Sequence, residues 1–466
     1  MPANKFLPKN HVNFPEKLGT VAPSIFSCSL NAKPTMNRRD FVQQTSLAGV
    51  GLLGAPSLLI YPKRAKYRTA LIGAGWWGLN ILREGIKTGE IQVVALCDVD
   101  QDQLKACKNE VDKLCSDQPR LYPDFRECLQ KEKPEIVINA TPDHWHALIA
   151  IEAMKQGAHV YLEKPISHTV KEGTAIEKTA RDTKRICIVG FHRRYSPHNV
   201  SAINFLKAGN AGKIHEVKAF VHYQFGKGQL EAQVAPPAGL DWDFWCGVAP
   251  MVPYNAGIHP RGFRQYMEFA NGLIGDWGPH WFDQILWWTE EKFPKKIYST
   301  QRGGTRDTRA NAPEIQSAVF EFEDFTCSWQ HSLTNAHPEL KTENVGIYFY
   351  GTGGTLHLGW QKGWTFFPSD KNKPEIHEEP KLNKPDDQNI DLVWRDFLAS
   401  IKSGQLPFAD VARGRLATNM SLLANVSAKV GRSIAWDLDK DKVIDDKEAN
   451  KLLVRDYRGQ WEYPKF

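Results

Sequence analysis

From residue 67 onward the chain alternates short apolar runs with stretches whose apolar residues recur at helical spacing, an order that predicts strands feeding helices. Ala70-Leu71-Ile72 reads as a buried strand, and Leu79 to Ile86 continue with helical periodicity. IQVVALCDVD, from Ile91 to Asp100, is a second strand. Ile136 to Ile138 form another, followed by a turn at Thr141-Pro142, a helix from Ala147 to Gln156 and a strand in HVYLEKP. Further on the period changes to two. In HEVKAFVHYQF, Val217, Ala219, Val221, Tyr223 and Phe225 share one face, and VGIYFYGTGGTLHLGW reads as two strands around a glycine turn. Such strands suit an open sheet. Phe367 to Asn389 are polar and proline-rich, which predicts a surface excursion.

Between the first strand and the first helix, Gly73, Gly75 and Gly78 form G-x-G-x-x-G with Trp76 and Trp77 inside it. Gly73 would permit the tight bend, Gly75 would let the backbone approach a pyrophosphate, and Gly78 would let helix and strand pack closely. The phosphates would then meet a helix N-terminus, whose unpaired N–H groups favour anions. Asp98 falls twenty residues after Gly78, where a carboxylate can bind both hydroxyls of an adenine ribose. The motif in this context predicts a dinucleotide site. The acid favours NAD, with NADP open where a nearby cation accepts the extra phosphate.

Composition adjusts this picture in three places. With 466 residues, 42% of them hydrophobic and 24% charged, the chain is long enough for two domains with substantial cores. The net charge of +6 is concentrated in residues 1–66, which carry nine Lys or Arg against two Asp or Glu, so the remainder is close to −1. A nearly neutral globular part excludes a nucleic-acid partner, whose phosphates call for a basic face. The eight cysteines lack C-x-x-C spacing and read as buried thiols. MNRRDFVQQTSLAGVGLLGAPSLLI, from Met36, pairs Arg38 with Arg39 ahead of a weakly apolar stretch from Leu47 to Ile60. This resembles a twin-arginine export signal and predicts a periplasmic or otherwise exported protein. The stretch is shorter than the about 20 residues that span a bilayer, so no integral membrane helix is expected. Because that route is associated with proteins exported already folded, the cofactor is expected to be held tightly and carried out with the chain.

GAGWWG at 73–78, ATPDHWH at 140–146, EKP at Glu163 to Pro165 and GDWGPHWFDQILWW at Gly275 to Trp288 together resemble the Gfo/Idh/MocA oxidoreductases over residues 68 to about 460. The resemblance implies an α/β fold: a Rossmann dinucleotide-binding domain over 67–190 and, over 191–466, an α/β domain with a large, mostly antiparallel sheet that binds substrate and pairs subunits into a homodimer or homotetramer. It implies catalysis by Lys164, Asp276 and His280 on a carbohydrate, with Lys164 and Glu163 also beside the cofactor and Thr141, Pro142 and His144 lining it. The chemistry agrees. Moving hydride from a sugar carbon needs a group that takes the hydroxyl proton and a cation that stabilises the developing alkoxide. Lys164 suits the cation and His280 the acceptor, while Asp276 orients His280 or binds a neighbouring hydroxyl. Pro279 is expected to open the helix that carries His280, whose N-terminus would keep the imidazole neutral. Asp276 could alternatively serve as its N-cap.

Other candidates are weaker. Arg193 and Arg194 could reach substrate or pair within the fold. Asp437, Asp439, Asp441, Asp445 and Glu448 sit at calcium-loop offsets, but Lys442 occupies the position that needs glycine, so a solvated acidic turn is expected. His144 and His146 flank Trp145 without a third ligand, and no metal is expected. Of the fifteen tryptophans, those in LDWDFWCGVAP and in the Gly275–Trp288 motif are expected near the site, one or two of them on a sugar face. Three readings follow: a dehydrogenase of a sugar, inositol or glycoside hydroxyl; a glycosidase or lyase working by transient oxidation with no net redox change; and a binding protein with an idle nucleotide fold.

Overall fold

The computed structural model describes residues 65–223, 230–304, 308–333, 343–383 and 388–465. The export-like segment and Phe225 lie outside these. The described residues belong to one compact unit spanning 64–466.

The first part alternates strand and helix: β1 (Tyr67–Ile72), α1 (Trp76–Lys87), β2 (Ile91–Cys97), α2 (Gln101–Leu114), β3 (Arg120–Tyr122), α3 (Phe125–Glu132), β4 (Ile136–Asn139), α4 (His146–Lys155), β5 (His159–Leu162), α5 (Val170–Thr183) and β6 (Cys187–Val189). The strands form one sheet in the order β3-β2-β1-β4-β5-β6, all neighbours parallel. Ala70, Leu71 and the whole of Ile136 to Ile138 are buried, as strands covered on both faces must be. The order reverses between β1 and β4. Above the carboxyl ends of these two strands lies the crevice where such sheets bind ligands.

A connecting helix α6 (Pro197–Lys207) leads to β7 (Ile214–His222), then α7 (Trp242–Cys246) and α8 (Gly272–Trp288). Strands β8 (Lys296–Arg302), β9 (Ile315–Glu321), β10 (Thr326–Ser332), β11 (Val345–Gly351), β12 (Gly354–Gly359), β13 (Trp364–Pro368) and β14 (Ile376–Glu378) follow, then α9 (Ile390–Ser403), α10 (Val411–Val430), β15 (Ile434–Asp437), β16 (Lys442–Val443) and α11 (Lys447–Lys451). These strands form a ten-stranded sheet, β14-β13-β12-β11-β7-β10-β9-β8-β15-β16, in which only β7 and β10 pair in parallel. The fold is therefore a Rossmann domain followed by an α/β domain with a mostly antiparallel sheet. The polar excursion after Phe367 contributes the short edge strand β14.

Two expectations change in the structure. Helix α9 also reaches back to the first part of the chain, where Trp394 donates its indole N–H to the Ile81 carbonyl of α1 at 2.9 Å and covers Gly85, at which a Cβ would lie 2.6 Å from the indole. α8 begins at Gly272, so Pro279 lies inside it and Asn271, not Asp276, precedes its first turn. The helix is buried against α10, where Gly278 lets Ser421 approach and donate to the Ile274 carbonyl at 2.8 Å; this packing outweighs the cost of an interior proline. The acidic turn is more than a solvated loop, because Asp441 accepts from Lys171 (2.9 Å), Thr174 (2.6 Å) and Arg415 (3.1 Å) and ties α5 to α10. The seven described cysteines are free thiols, and all except Cys115 are buried.

Candidate active site

The carboxyl ends of the first sheet and the N-terminal half of α8 enclose a cleft of about 530 Å3. Its floor is the glycine loop. Gly73 adopts φ +91°, and a Cβ there would lie 2.6 Å from the Ala140 backbone; a Cβ on Gly78 would lie 2.1 Å from the Gly73 carbonyl. These two glycines are explained by the fold itself. Gly75 is different. Its φ is −69°, which any residue adopts, and the nearest atom to its missing Cβ is 4.0 Å away. The space it leaves opens into the cleft at the start of α1, whose first N–H groups have no side-chain cap. A helix N-terminus beside open space and a dispensable glycine fits a dinucleotide pyrophosphate.

Asp98 stands at the rim after β2, where one oxygen accepts from the Ala74 N–H at 2.8 Å and the other from the Asp100 N–H at 3.0 Å. Burial raises its pKa to about 6, against the pull of those two N–H groups. The residue lines the cleft, and a carboxylate there suits ribose hydroxyls. Trp76, Trp77, Thr141, Pro142 and Glu163 also line it. His144 does not. It is fully buried behind the wall, with Nε2 2.9 Å from the Trp245 carbonyl, and its neighbour His146 lines the cleft instead. The short helical turn at Asp143–Trp145 aims these alternate residues in different directions, which spacing alone does not decide.

At the inner end the cleft brings together Lys164, Asp276 and His280. Lys164 Nζ donates to Asp276 Oδ1 at 2.8 Å and to the Asp276 carbonyl at 3.0 Å, and Arg264 Nε donates to the same Oδ1 at 3.2 Å. Burial alone would raise the Asp276 carboxyl; the Lys164 and Arg264 charges outweigh it and hold the group at about 2. Asp276 and His280 are one helical turn apart on α8 and share a face. Burial holds the His280 imidazole well below its ordinary pKa, with the charges of Lys164, His192 and Arg193 adding to the effect. Its neutrality therefore comes from burial and nearby cations, because α8 begins too far upstream for its N-terminus to act. Glu163 and Asp143 are both pushed by burial to about 7.

Among the lining residues that carry no sequence motif of a site are Arg264, Arg261, His192 and Trp360. The arginines come from a loop without periodicity, and Arg261 covers the exposed Trp76 at 4.8 Å. His192 stands in GFHRRYSP beside Arg193 and Arg194, and a single histidine after a strand is its only signal. Of those arginines, Arg194 is buried and paired with Asp283 at 2.7 Å, while Arg193 stacks on Trp360 at 3.7 Å. Trp360 also meets His280 and Trp277, with centroids 5.0 and 4.7 Å apart. Of the tryptophans expected near the site, Trp245 and Trp277 line the cleft, whereas Trp242 and Trp281 are buried in the core.

Residues 67–191 match the family model described as an oxidoreductase family, NAD-binding Rossmann fold, and residues 213–463 match its C-terminal alpha/beta domain. A glycosyl hydrolase family 109 protein from Shewanella sp. (strain W3-18-1) is 26% identical over 482 residues, 97% of each chain. An alpha-N-acetylgalactosaminidase from Shewanella oneidensis is 29% identical over 169 residues, 35% of this chain and 37% of that one. The fold is shared with the WlbA dehydrogenase from Bordetella pertussis, solved with NADH and UDP-GlcNAcA: TM-score 0.60 at 18% identity, covering 80% of this chain and all of the other.

Proposed function

The chain belongs to the Gfo/Idh/MocA family of oxidoreductases, and we propose that its cleft oxidises a ring hydroxyl of a carbohydrate by hydride transfer to NAD. The observation that carries this reading is the single cleft in which the glycine loop and Asp98 meet Lys164, Asp276 and His280. When bound, NAD supplies a reversible hydride acceptor. Gly75 and the start of α1, in the turn that Gly73 and Gly78 shape, would hold its pyrophosphate, and Asp98 would hold the adenine ribose. The reacting hydroxyl lies against Lys164 Nζ, which Asp276, itself held by Arg264, keeps in place and which stabilises the alkoxide. Neutral His280 takes the hydroxyl proton. Trp277 and Trp360 offer flat faces to the sugar C–H groups.

A second reading is favoured by the relatives named glycosyl hydrolase family 109, which align over nearly the whole chain. In it the same site cleaves a glycosidic bond with no net redox change. Aryl glycosides, with an aryl α-N-acetylgalactosaminide among them, separate the two. A dehydrogenase accumulates reduced nicotinamide and a keto-sugar, whereas the glycosidase releases the aryl alcohol and leaves the cofactor oxidised. Failure of the purified, nucleotide-loaded protein to do either on a broad carbohydrate panel refutes both.

Three further parts of the proposal rest on less. Export through the twin-arginine route is supported by Arg38 and Arg39, and fractionation of expressing cells, with both changed to lysine as the control, tests it. Tight retention of NAD accords with that route and is tested by assaying nucleotide in the denatured supernatant of purified protein. A homodimer or homotetramer is supported by Tyr298 and Val319, cross-strand partners exposed together on the large sheet, and is read by light scattering.

A further inference from the structure

A second imidazole stands beside His280 without a task in the hydride step. His192 opens the short turn after β6 and is 3% exposed, and neither of its ring nitrogens reaches a hydrogen bond of good geometry. Its ring centroid lies 5.1 Å from that of His280, 5.9 Å from Trp77 of the glycine loop and 5.9 Å from Trp360. His146, on the same cleft wall, has carbonyls within reach of both ring nitrogens, Pro165 at 2.6 Å and Thr141 at 2.8 Å, and as a neutral imidazole donates to one of them. Buried polar atoms left unpaired destabilise a fold, and they recur where a ligand completes them. Burial holds His192 in its neutral form, helped by the charges of Arg193 and Lys164 and only partly opposed by Gly190.

Oxidising one hydroxyl moves one proton, and His280 suffices for that. Removal of a proton from carbon needs a further base, and His192 is a second neutral imidazole lining the same cleft. We propose that His192 is the base that takes the proton from the ring carbon next to the newly formed ketone, in a glycoside whose leaving oxygen sits on the carbon beyond. The proposal rests on the glycosidase reading above, with a nicotinamide dinucleotide as the acceptor that first makes the ketone. In the step itself the C–H bond breaks, its proton goes to a His192 ring nitrogen, and its electron pair forms the C=C bond of an enolate whose oxygen faces Lys164. The ketone then re-forms and the double bond shifts one carbon along. The C–O bond to the aglycone breaks with its pair on the departing oxygen, which takes a proton from solvent. No oxidant or reductant is consumed in the elimination.

The test supplies the ketone ready-made. An aryl glycoside already oxidised two carbons from its anomeric centre is given to the nucleotide-loaded protein in deuterated water. Exchange of the intervening C–H is followed by NMR and aryl alcohol by absorbance. The wild type is expected to do both. His192→Asn and His192→Gln should each lose both by about 10²-fold or more, the scale of removing a general base, with a far smaller loss in nicotinamide reduction on the parent glycoside. His280→Asn should show the reverse pattern. Exchange at the wild-type rate in either His192 variant overturns the assignment. Loss of bound nucleotide in both also overturns it, because His192 would then be a structural residue. If the wild type reduces nicotinamide on the parent sugar yet neither exchanges nor cleaves the keto-glycoside, the glycosidase reading falls, and His192 as its base with it.

Discussion

The three loop glycines make separable predictions, because the structure gives each a different reason to be glycine. In Gly75→Ala the new methyl meets no protein atom closer than 4.0 Å and the backbone is unstrained. The cost to the nucleotide-free protein is that of a poorer helix cap, at most about 1 kcal/mol. In Gly78→Ala the methyl would lie 2.1 Å from the Gly73 carbonyl, 3.1 Å from Leu71 and 3.3 Å from Ala140, so backbone must move. Overpacking of that kind costs about 1–3 kcal/mol, enough to lower the melting temperature by several degrees. Nucleotide affinity should order differently. If the pyrophosphate lies over Gly75, its methyl intrudes on the ligand alone and should weaken NAD by about 10- to 100-fold, equivalent to the same 1–3 kcal/mol paid at the interface. Thermal melts of nucleotide-free protein and calorimetric titration with NAD measure the two quantities independently. Gly75→Ala should melt close to wild type and bind poorly, while Gly78→Ala should melt early. Gly75→Ala binding NAD within twofold of wild type would refute the placement of the pyrophosphate.

Four shorter predictions follow. Lys164→Ala and His280→Ala should each retain NAD and slow nicotinamide reduction by about 10²-fold or more in single-turnover measurements; wild-type rates in both would remove them from the chemistry. Glu163 has an ordinary carboxyl value of 4.5 and is raised by burial to about 7, so the folded state binds the extra proton between these values and loses stability as pH rises through them. Glu163→Gln should accordingly match wild type below about pH 4 and exceed it by on the order of 2 kcal/mol above about pH 7 in urea melts of nucleotide-free protein; identical pH profiles would contradict this. Arg194→Met leaves Asp283 buried without its ion-pair partner and should cost about 3–5 kcal/mol in the same melts, whereas a change below about 1 kcal/mol would show the pair to be dispensable. Asp98→Ala should weaken NAD more than NADP, because only NAD has a free 2′-hydroxyl for the carboxylate; equal losses would count against that role.

The features legible in the sequence were those written into adjacent residues. A glycine turn depends on which residues tolerate positive φ or close approach, so Gly73, Gly75 and Gly78 announced themselves between a strand and a helix. Asp276 and His280 are four apart on a helix, and that spacing alone puts them on one face. The alternation of β7 and the β11–β12 pair was equally local, since the two-residue period follows from the pleat.

Distances across the chain were another matter. Lys164 and Asp276 are 112 residues apart, and their 2.8 Å contact exists only because β5 ends opposite the start of α8. Whether His144 or His146 faced the cleft, whether Pro279 began a helix or lay within one, and which of Arg193 and Arg194 was locked in an ion pair were all decided by what packs against each segment. His192, Arg264 and Trp360 entered the site from three separate connections that carry no pattern of their own. The sequence by itself determined the elements and the local chemistry of the loop and of α8, because backbone sterics and periodicity act over a few residues. The tertiary structure alone decided which side chains share the cleft and in which protonation state, because burial and the fields of distant charges are set by packing, and packing is strong enough to override a residue's local preference.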